Sequence, residues 1–296
     1  MNRAVDLLDL LAAHPTESFL MSELCRRVGI NGASAHAVLG VLERAGYVDR
    51  HPRNRTYTLG VGAFVIGQAS MRQHPAVTVA APEIEALSTA LDVEVIVAAQ
   101  VGDSLVYLDS AGRPRSGAGF RVGQRVPCVP PYGTVHVAWS TEAEIADWLQ
   151  RAPTPLTDAQ RAEQLTVLTA IRRRGYAIGL DGGGAHVQLN ELASELGRTP
   201  PRTDLRTAVN EVLDQLGRQT YQLLEIDPAE RYDIGMVSAP VFDPQGRVAV
   251  SITLPGLPPG LTGRQILSYC DATVRTALAV TRQIEGTPPN NNYQPA

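Results

Sequence analysis

MSELCRRVGINGASAHAVLGVLERAGYVDRHPRNRTYTL, Met21 to Leu59, is the stretch whose reading decides the fold. Apolar Met21, Leu24, Cys25 and Val28 recur at helical spacing and predict a first helix. Gly29 supplies the turn, Ile30 plugs the space beneath it, and Asn31 is a good N-cap for a second helix. That helix buries Ala35, Val38, Leu39 and Leu42 and stops at Gly46. Two helices joined by a short Gly turn form the DNA-reading helix-turn-helix, whose second helix enters the major groove. Tyr47-Val48 and Tyr57-Thr58-Leu59 then read as strands around the tip Arg50-His51-Pro52-Arg53-Asn54-Arg55. The tip is either a solvated hairpin or a wing touching phosphate or the minor groove. Its place directly after the helix-turn-helix favours the wing, with Arg50, Arg53 and Arg55 as its cations.

Outward from this stretch, Asn2 to His14 carries the helical stripe Val5, Leu8, Leu11 and Ala12, closed by Pro15. Val61 to Gln73 is a mildly amphipathic helix with Phe64, Ile66 and Met71, ended by Pro75, and suits a linker. Ala80 to Leu91 is helical. Val93 to Gln100 and Leu105 to Asp109 are strands joined by the hairpin signal Val101-Gly102-Asp103-Ser104, and Phe120 to Pro127 is a further strand. Thr141 to Arg151 and Thr157 to Arg174 are helices, the second N-capped by Thr157 and ending in three Arg that suit its C-terminal dipole. Tyr176 to Leu180, Ile234 to Phe242 and Arg247 to Leu254 are strands, the last two joined by the turn Asp243-Pro244-Gln245-Gly246. Leu261 to Gln283 is a long closing helix.

The fold class is α+β: a winged helix-turn-helix at 1–60, a linker helix at 61–74, and an antiparallel sheet flanked by helices at 75–285. The tail 286–296 is polar and Asn-rich and is expected to be disordered.

Composition narrows the function classes. At 296 residues the chain is too long for one small core. A hydrophobic share of 44% and a mean hydropathy of −0.07 are ordinary for a soluble protein. No apolar run approaches the roughly 18 residues of a membrane span. Asp6 and Asp9 interrupt the first apolar stretch, against a signal peptide. Three scattered cysteines, Cys25, Cys128 and Cys270, argue for a reducing cytoplasm. All 26 basic residues are Arg and the net charge is −4, so nucleic-acid binding must rest on a local patch.

Residues 3 to 60 resemble the N-terminal domain of the isocitrate lyase regulator (IclR) family of bacterial transcription factors. The matching pieces are RAVDLLDLLAAHP, SELCRRVGI, the Ser34-Ala35-His36 helix with LERAGYV, and YTLG. Family members often carry basic residues where this chain has Gly32 and Ala37. The resemblance therefore leaves Asn31, Ser34 and His36, around Gly32, to face DNA, and shifts phosphate affinity toward the wing. His36 also fits a plain surface histidine. Linker helices in the family pack against a partner subunit, which implies a homodimer or a dimer of dimers on double-stranded operator DNA.

The second domain is similar to the family's effector-binding domain, a relative of GAF and PAS-like sensors. The resemblance rests on VYLDS at 106–110, Val122-Gly123 with Val126-Pro127, Arg174-Gly175-Tyr176-Ala177, Ala239-Pro240-Val241-Phe242-Asp243 and Val250-Ser251-Ile252-Thr253. It implies a small organic acid effector held by Cys128, Pro131, Tyr132, Gly133, Gly179, Met236, Ser251 and Thr253. Gly179 stands where many members have Asp, Met236 where Cys is frequent, and the pocket loop is one residue short with two prolines. These changes imply a roomier, more apolar pocket, for a ligand larger and more apolar than a short 2-oxo acid.

Asp181 to Asp233 is far longer than the family's connector and holds helical patterns at Val187 to Leu196 and Asp204 to Leu216, with a loop at Thr199-Pro200-Pro201-Arg202. A loop of this length is a functional candidate. It either lids the pocket or builds a further subunit contact.

Neither Asp181-Gly182-Gly183-Gly184 nor Gly117-Ala118-Gly119 has the spacing of a phosphate loop. No paired ligand spacing points to a metal, and no cofactor is implied. No nucleophile elbow or triad is legible. Cys128 is either a redox thiol or, as a small buried residue, plain packing. The sequence thus points to an effector-responsive transcription regulator controlling a catabolic operon. The rival is a small-molecule-binding protein or enzyme whose helix-turn-helix serves only protein contacts.

Overall fold

The computed structural model describes residues 3–115, 120–198, 203–218 and 221–289. The loop expected at 199–202, the Gly117-Ala118-Gly119 stretch and the 290–296 part of the tail lie outside the described residues. Two compact units emerge: Met1–Pro75 with Leu192–Ala208, and Ala76–Glu191 with Val209–Ala296.

In the first unit, α1 (Arg3–Ala12), α2 (Met21–Val28) and α3 (Gly32–Arg44) pack on a three-stranded sheet of β1 (Phe19–Leu20), β2 (Val48–Arg50) and β3 (Thr56–Leu59), in the order β1-β3-β2. Leu7, Leu11, Phe19, Leu24, Ala35 and Leu39 form the centre of its core. The turn is built as its residues dictate. Gly29 adopts φ 71°, a left-handed conformation that costs a residue without Cβ little, and Asn31 caps α3 by accepting a 2.8 Å bond from the Ser34 amide. The strand β1 was not legible, because two residues carry no periodicity.

The helix α4 (Val61–Gln73) has no buried residue. Pro75 opens the following helix α5 (Pro75–Leu91) rather than merely closing α4. A proline costs nothing in a helix's first turn, where the missing N–H would have no partner.

The second unit is organised by a six-stranded antiparallel sheet. Its strands are β4 (Val95–Val101), β5 (Ser104–Ala111), β6 (Arg125–Pro127), β7 (Ala177–Leu180), β9 (Ile234–Phe242) and β10 (Val248–Pro255), in the order β6-β5-β4-β10-β9-β7. The expected strand at 120–127 shrinks to Arg125–Pro127. Gly123 takes φ 84° and gives its amide to Tyr107 O at 2.8 Å, so the chain turns there instead of extending. Between strands lie α6 (Thr134–Val137), α7 (Glu142–Gln150), α8 (Asp158–Arg174), α9 (Ala185–Arg198) and α10 (Thr203–Arg218). Thr141 and Thr157 close capping boxes on α7 and α8, and Gly175 ends α8 at φ 83°. The minor pair β8 (Arg231–Tyr232) and β11 (Leu261–Thr262) precedes α11 (Gly263–Gln283), so Leu261 and Thr262 belong to a strand, not to the closing helix.

The two faces of this sheet differ because strand side chains alternate. Val95, Val97, Val237, Ala239, Val250, Ile252 and Leu254 pack against Ile84 of α5 and Ile266, Val274 and Ala277 of α11. Their neighbours in sequence therefore point to the other face, where a second core around Trp148, Leu168 and Ile171 covers only part of the sheet.

Replacing Asn31 with Ala should destabilise the first unit by about 1 kcal/mol, read as faster hydrogen exchange in the first turn of α3. Unchanged exchange there would mean that the cap contributes nothing.

Candidate functional site

On the face of the second unit's sheet away from α5 and α11 lies a cavity with an empty volume of ≈ 890 Å³, open solvent at its mouth included. Its floor comes from Glu94, just before β4, and from alternate strand positions: Ile96 and Ala98, then Leu105 and Tyr107, Met236 and Ser238, and Ser251, Thr253 and Pro255. Pro114, Arg115 and Phe120 form one wall, and the segment Tyr132 to His136 forms another. Val187 and Asn190 of α9 close it from above, so part of the 181–233 insertion lies on the cavity.

Tyr132, Gly133, Met236, Ser251 and Thr253 line the cavity as the sequence suggests, whereas Cys128, Pro131 and Gly179 do not. Cys128 is fully buried beneath the loop, and a Cβ on Gly133 would strike its Sγ, so this thiol packs against backbone. Burial pushes that thiol up to about 12, leaving it protonated and poorly suited to redox sensing. Pro131 follows Pro130 through a cis peptide bond and is not part of the lining. Gly179 is small for another reason: a Cβ there would meet the Tyr221 hydroxyl at 2.8 Å and Met236 Cγ at 3.1 Å. The room it leaves is filled by Tyr221 of the insertion.

Tyr221 stacks on Tyr132 with ring centroids 6.0 Å apart and planes at 26°. The returning chain runs beside β7: the Leu180 amide donates to Tyr221 O at 2.8 Å and the Leu223 amide to Ile178 O at 3.1 Å. Arg174 Nη1 donates to Leu223 O at 2.7 Å and Leu224 O at 3.2 Å, while its guanidinium lies 4.8 Å from the Tyr176 ring centroid. The buried Gln124 amide donates to Asn190 Oδ1 at 2.6 Å and Asn190 O at 3.1 Å, tying α9 to the turn before β6. Trp148 Nε1 donates to Tyr132 O at 3.1 Å and fixes the pocket loop from below.

Sequence reasoning named Ser251 and Thr253 but missed Ser238, His136 and Glu94, which line the cavity with them. Ser238 and Thr253 are hydrogen-bonded to each other at 2.7 Å. His136, 6% exposed, pairs its Nε2 with Ser251 Oγ at 3.1 Å and leaves Nδ1 without a hydrogen-bond partner. Burial lowers its pKa to about 4, so the imidazole is neutral at pH 7. Glu94, also 6% exposed, accepts one bond from the Phe120 amide at 3.2 Å, and burial raises its carboxyl above the usual range against that bond. Burial likewise keeps the Tyr107 phenol protonated. Glu94 and His136 stand in no motif; only the alternation of β4 and the register of β10 bring them onto one surface.

In the first unit the expected DNA-facing residues occupy one helix end and one hairpin tip. Asn31, Gly32 and His36 are exposed at the start of α3, and Ser34 is half-buried. Arg50, Arg53 and Arg55 are all exposed. The wing tip is ordered by His51, whose Nδ1 accepts from the amides of Arg53 (3.3 Å) and Asn54 (3.1 Å), and Arg55 sits at φ 55°. Arg50 lies 5.6 Å from the Tyr57 ring centroid. A further cation arrives from α1: Arg3 Nη1 donates to Ser34 Oγ at 2.7 Å. The recognition helix thus has a guanidinium beside its start, although its own sequence supplies none there.

Residues 2–52 match the IclR helix-turn-helix domain. Over 189 residues the chain is 29% identical to the HTH-type transcriptional regulator XynR of Escherichia coli (strain K12), spanning 60% of this chain and 73% of that protein. A solved IclR transcriptional regulator from Alicyclobacillus acidocaldarius superposes with a TM-score of 0.62 at 21% identity, covering 95% of this chain and 97% of that one. An IclR homolog from Microbacterium hydrocarbonoxydans, complexed with 4-hydroxybenzoate, gives 0.61 at 14% identity over 95% and 97% of the two chains. The α+β fold is therefore that of these solved IclR-type structures.

Because His136 is depressed to about 4 from an unfolded value near 6.5, the unfolded chain takes up a proton that the folded chain refuses. Its contribution is whole above pH 6.5 and is lost as pH falls toward 4, by up to roughly 3 kcal/mol. Chemical denaturation at pH 7 and pH 5 should show a shallower loss for His136→Gln than for the parent; equal losses would contradict the assignment.

Proposed function

We infer that this chain, an IclR-type transcriptional regulator, couples DNA reading in its N-terminal unit to a small organic effector held in the cavity of the second. The observation that carries the reading is the coexistence, in one chain, of a winged helix-turn-helix with an exposed Arg tip and a cavity with both polar and apolar walls. Ile96, Leu105, Tyr107, Phe120 and Met236 on its walls suit a ligand with an apolar body of several carbons. The bound 4-hydroxybenzoate of the Microbacterium protein supports a ligand of that scale. Control of a catabolic operon, in the cytoplasm, is the role we assign to it.

On DNA, Asn31, Ser34 and His36 face the major groove, with Gly32 allowing close approach. Arg3, Arg50, Arg53 and Arg55 bind phosphate. In the second unit, Tyr132, Gly133, Met236, Ser251 and Thr253 contact the effector, joined by His136 and Glu94. We assign the insertion to the cavity, since Val187 and Asn190 lie on its wall. Ligand binding then shifts the population between DNA-competent and DNA-weak arrangements of paired readers.

Pairing follows from α4. Phe64, Val65 and Ile66 are 64%, 60% and 55% exposed in the single chain, an apolar surface that soluble monomers seldom leave in water. We assign this helix to a homodimer, which can associate further into a dimer of dimers.

Mobility-shift assays with duplex from upstream of the protein's own gene should show binding that weakens with salt. The double variant Arg53→Ala/Arg55→Ala removes two cations from each subunit of the dimer, and should lower affinity across sequences and reduce the salt slope by about 4. Absence of binding at low salt overturns the regulator reading, and an unaltered slope overturns the wing assignment. Sedimentation of Phe64→Asp/Ile66→Asp should give a species of half the parent's mass; an unchanged mass would place the dimer contact elsewhere.

A further inference from the structure

The cavity floor has two polar ends of different character. At one end His136 Nε2 meets Ser251 Oγ at 3.1 Å, and Ser251 is paired with Ala98 of β4. Two residues along, Thr253 pairs with Ile96 and bonds Ser238. Two residues further, just before β4, Glu94 lines the cavity together with Pro255, which pairs with Met236. Four residues of strand separate the rows of Ala98 and Glu94, about 13 Å. Ile96, Tyr107 and Phe120 line the cavity with them, and Phe120 packs edge-on to Tyr107 at 5.0 Å between centroids.

Glu94 is a costly residue in this place. It is 6% exposed, and among the described residues no ion pair reaches it. Its Oε1 takes one backbone bond from Phe120. Arg115 borders the same cavity but is exposed to solvent. A carboxylate with one hydrogen bond keeps further acceptor positions open, here beside the cavity it lines. If Glu94 served only to hold Phe120, a neutral amide oxygen would do the same without the charge. At the opposite end His136 lines the same cavity, with its Nδ1 buried and without a hydrogen-bond partner.

We propose that Glu94 is a specificity residue of this cavity that accepts from a hydrogen-bond-donating group, an ammonium or a hydroxyl, on the far end of an elongated, largely apolar ligand. The proposal rests on the reading of the cavity as the effector site. It adds that a carboxylate alone does not satisfy the site: an acid effector carries a donor at its other end, toward Glu94, while its polar group toward Ser251 engages His136 Nδ1.

The test is calorimetric titration of the full chain with three probes of one shape: 3-phenylpropylamine, 3-phenylpropan-1-ol and 3-phenylpropionate. The variant is Glu94→Gln, whose amide oxygen still accepts from Phe120. The parent should bind the amine about tenfold more tightly than the acid, and Glu94→Gln should lower amine affinity about tenfold with a smaller change for the alcohol. Unchanged amine affinity in the variant, or an acid that binds the parent most tightly, overturns the role of Glu94 and leaves the effector cavity standing. If no probe binds the parent, the effector reading of the cavity falls and the role of Glu94 falls with it.

Discussion

The second unit depends on the period-two alternation of its central strands β4 and β10. Val250, Ile252 and Leu254 face α5 and α11 with Val95 and Val97, while Ser251, Thr253, Ile96 and Ala98 face the cavity. Were both faces uniformly apolar, packing would demand cover on both, as in buried parallel sheets. Mixed residues on the second face are instead compatible with a cavity that a ligand can enter. Slipping either strand by one residue would exchange core for cavity at every position, so the buried face fixes the chemistry of the open one.

Around that floor, the walls are held by contacts that do not themselves face a ligand. Trp148 holds the carbonyl of Tyr132, and Arg174 holds the carbonyls of Leu223 and Leu224. Tyr221 fills the room that Gly179 leaves and stacks on Tyr132. The long insertion is thereby part of the cavity's architecture at two places, its first helix through Val187 and Asn190 and its return through Tyr221 and Gln222. Gln222 donates from Nε2 to Oγ1 of the lining residue Thr134 at 3.3 Å.

Much of this was legible in the sequence because local chemistry dictates it. The span of α2, the Asn31 cap, the Thr157 cap of α8 and the 234–242 strand all follow from periodicity or from an orphan amide seeking an acceptor. What escaped depends on long-range placement. Arg3 reaches Ser34 from 31 positions away, so the recognition helix looked poorer in positive charge than it is. Glu94 and His136 lie on one cavity only through strand pairing and the four-residue α6, which is too short to carry a helical pattern. Gly179 was read as space for a ligand because its neighbour in space, Tyr221, comes from the far end of the insertion. Of the eight residues expected around the effector, five line the cavity and three do not.

The central claim is that occupancy of the cavity and reading of DNA are energetically linked. Fluorescence anisotropy with a labelled operator duplex, with and without a saturating cavity ligand, measures that linkage as a ratio of affinities, and calorimetry of the same ligand with and without duplex measures it in reverse. The account predicts a ratio different from one, and the same ratio in both directions, as reciprocity of binding free energies requires. An operator affinity unchanged at full occupancy of the cavity would contradict it.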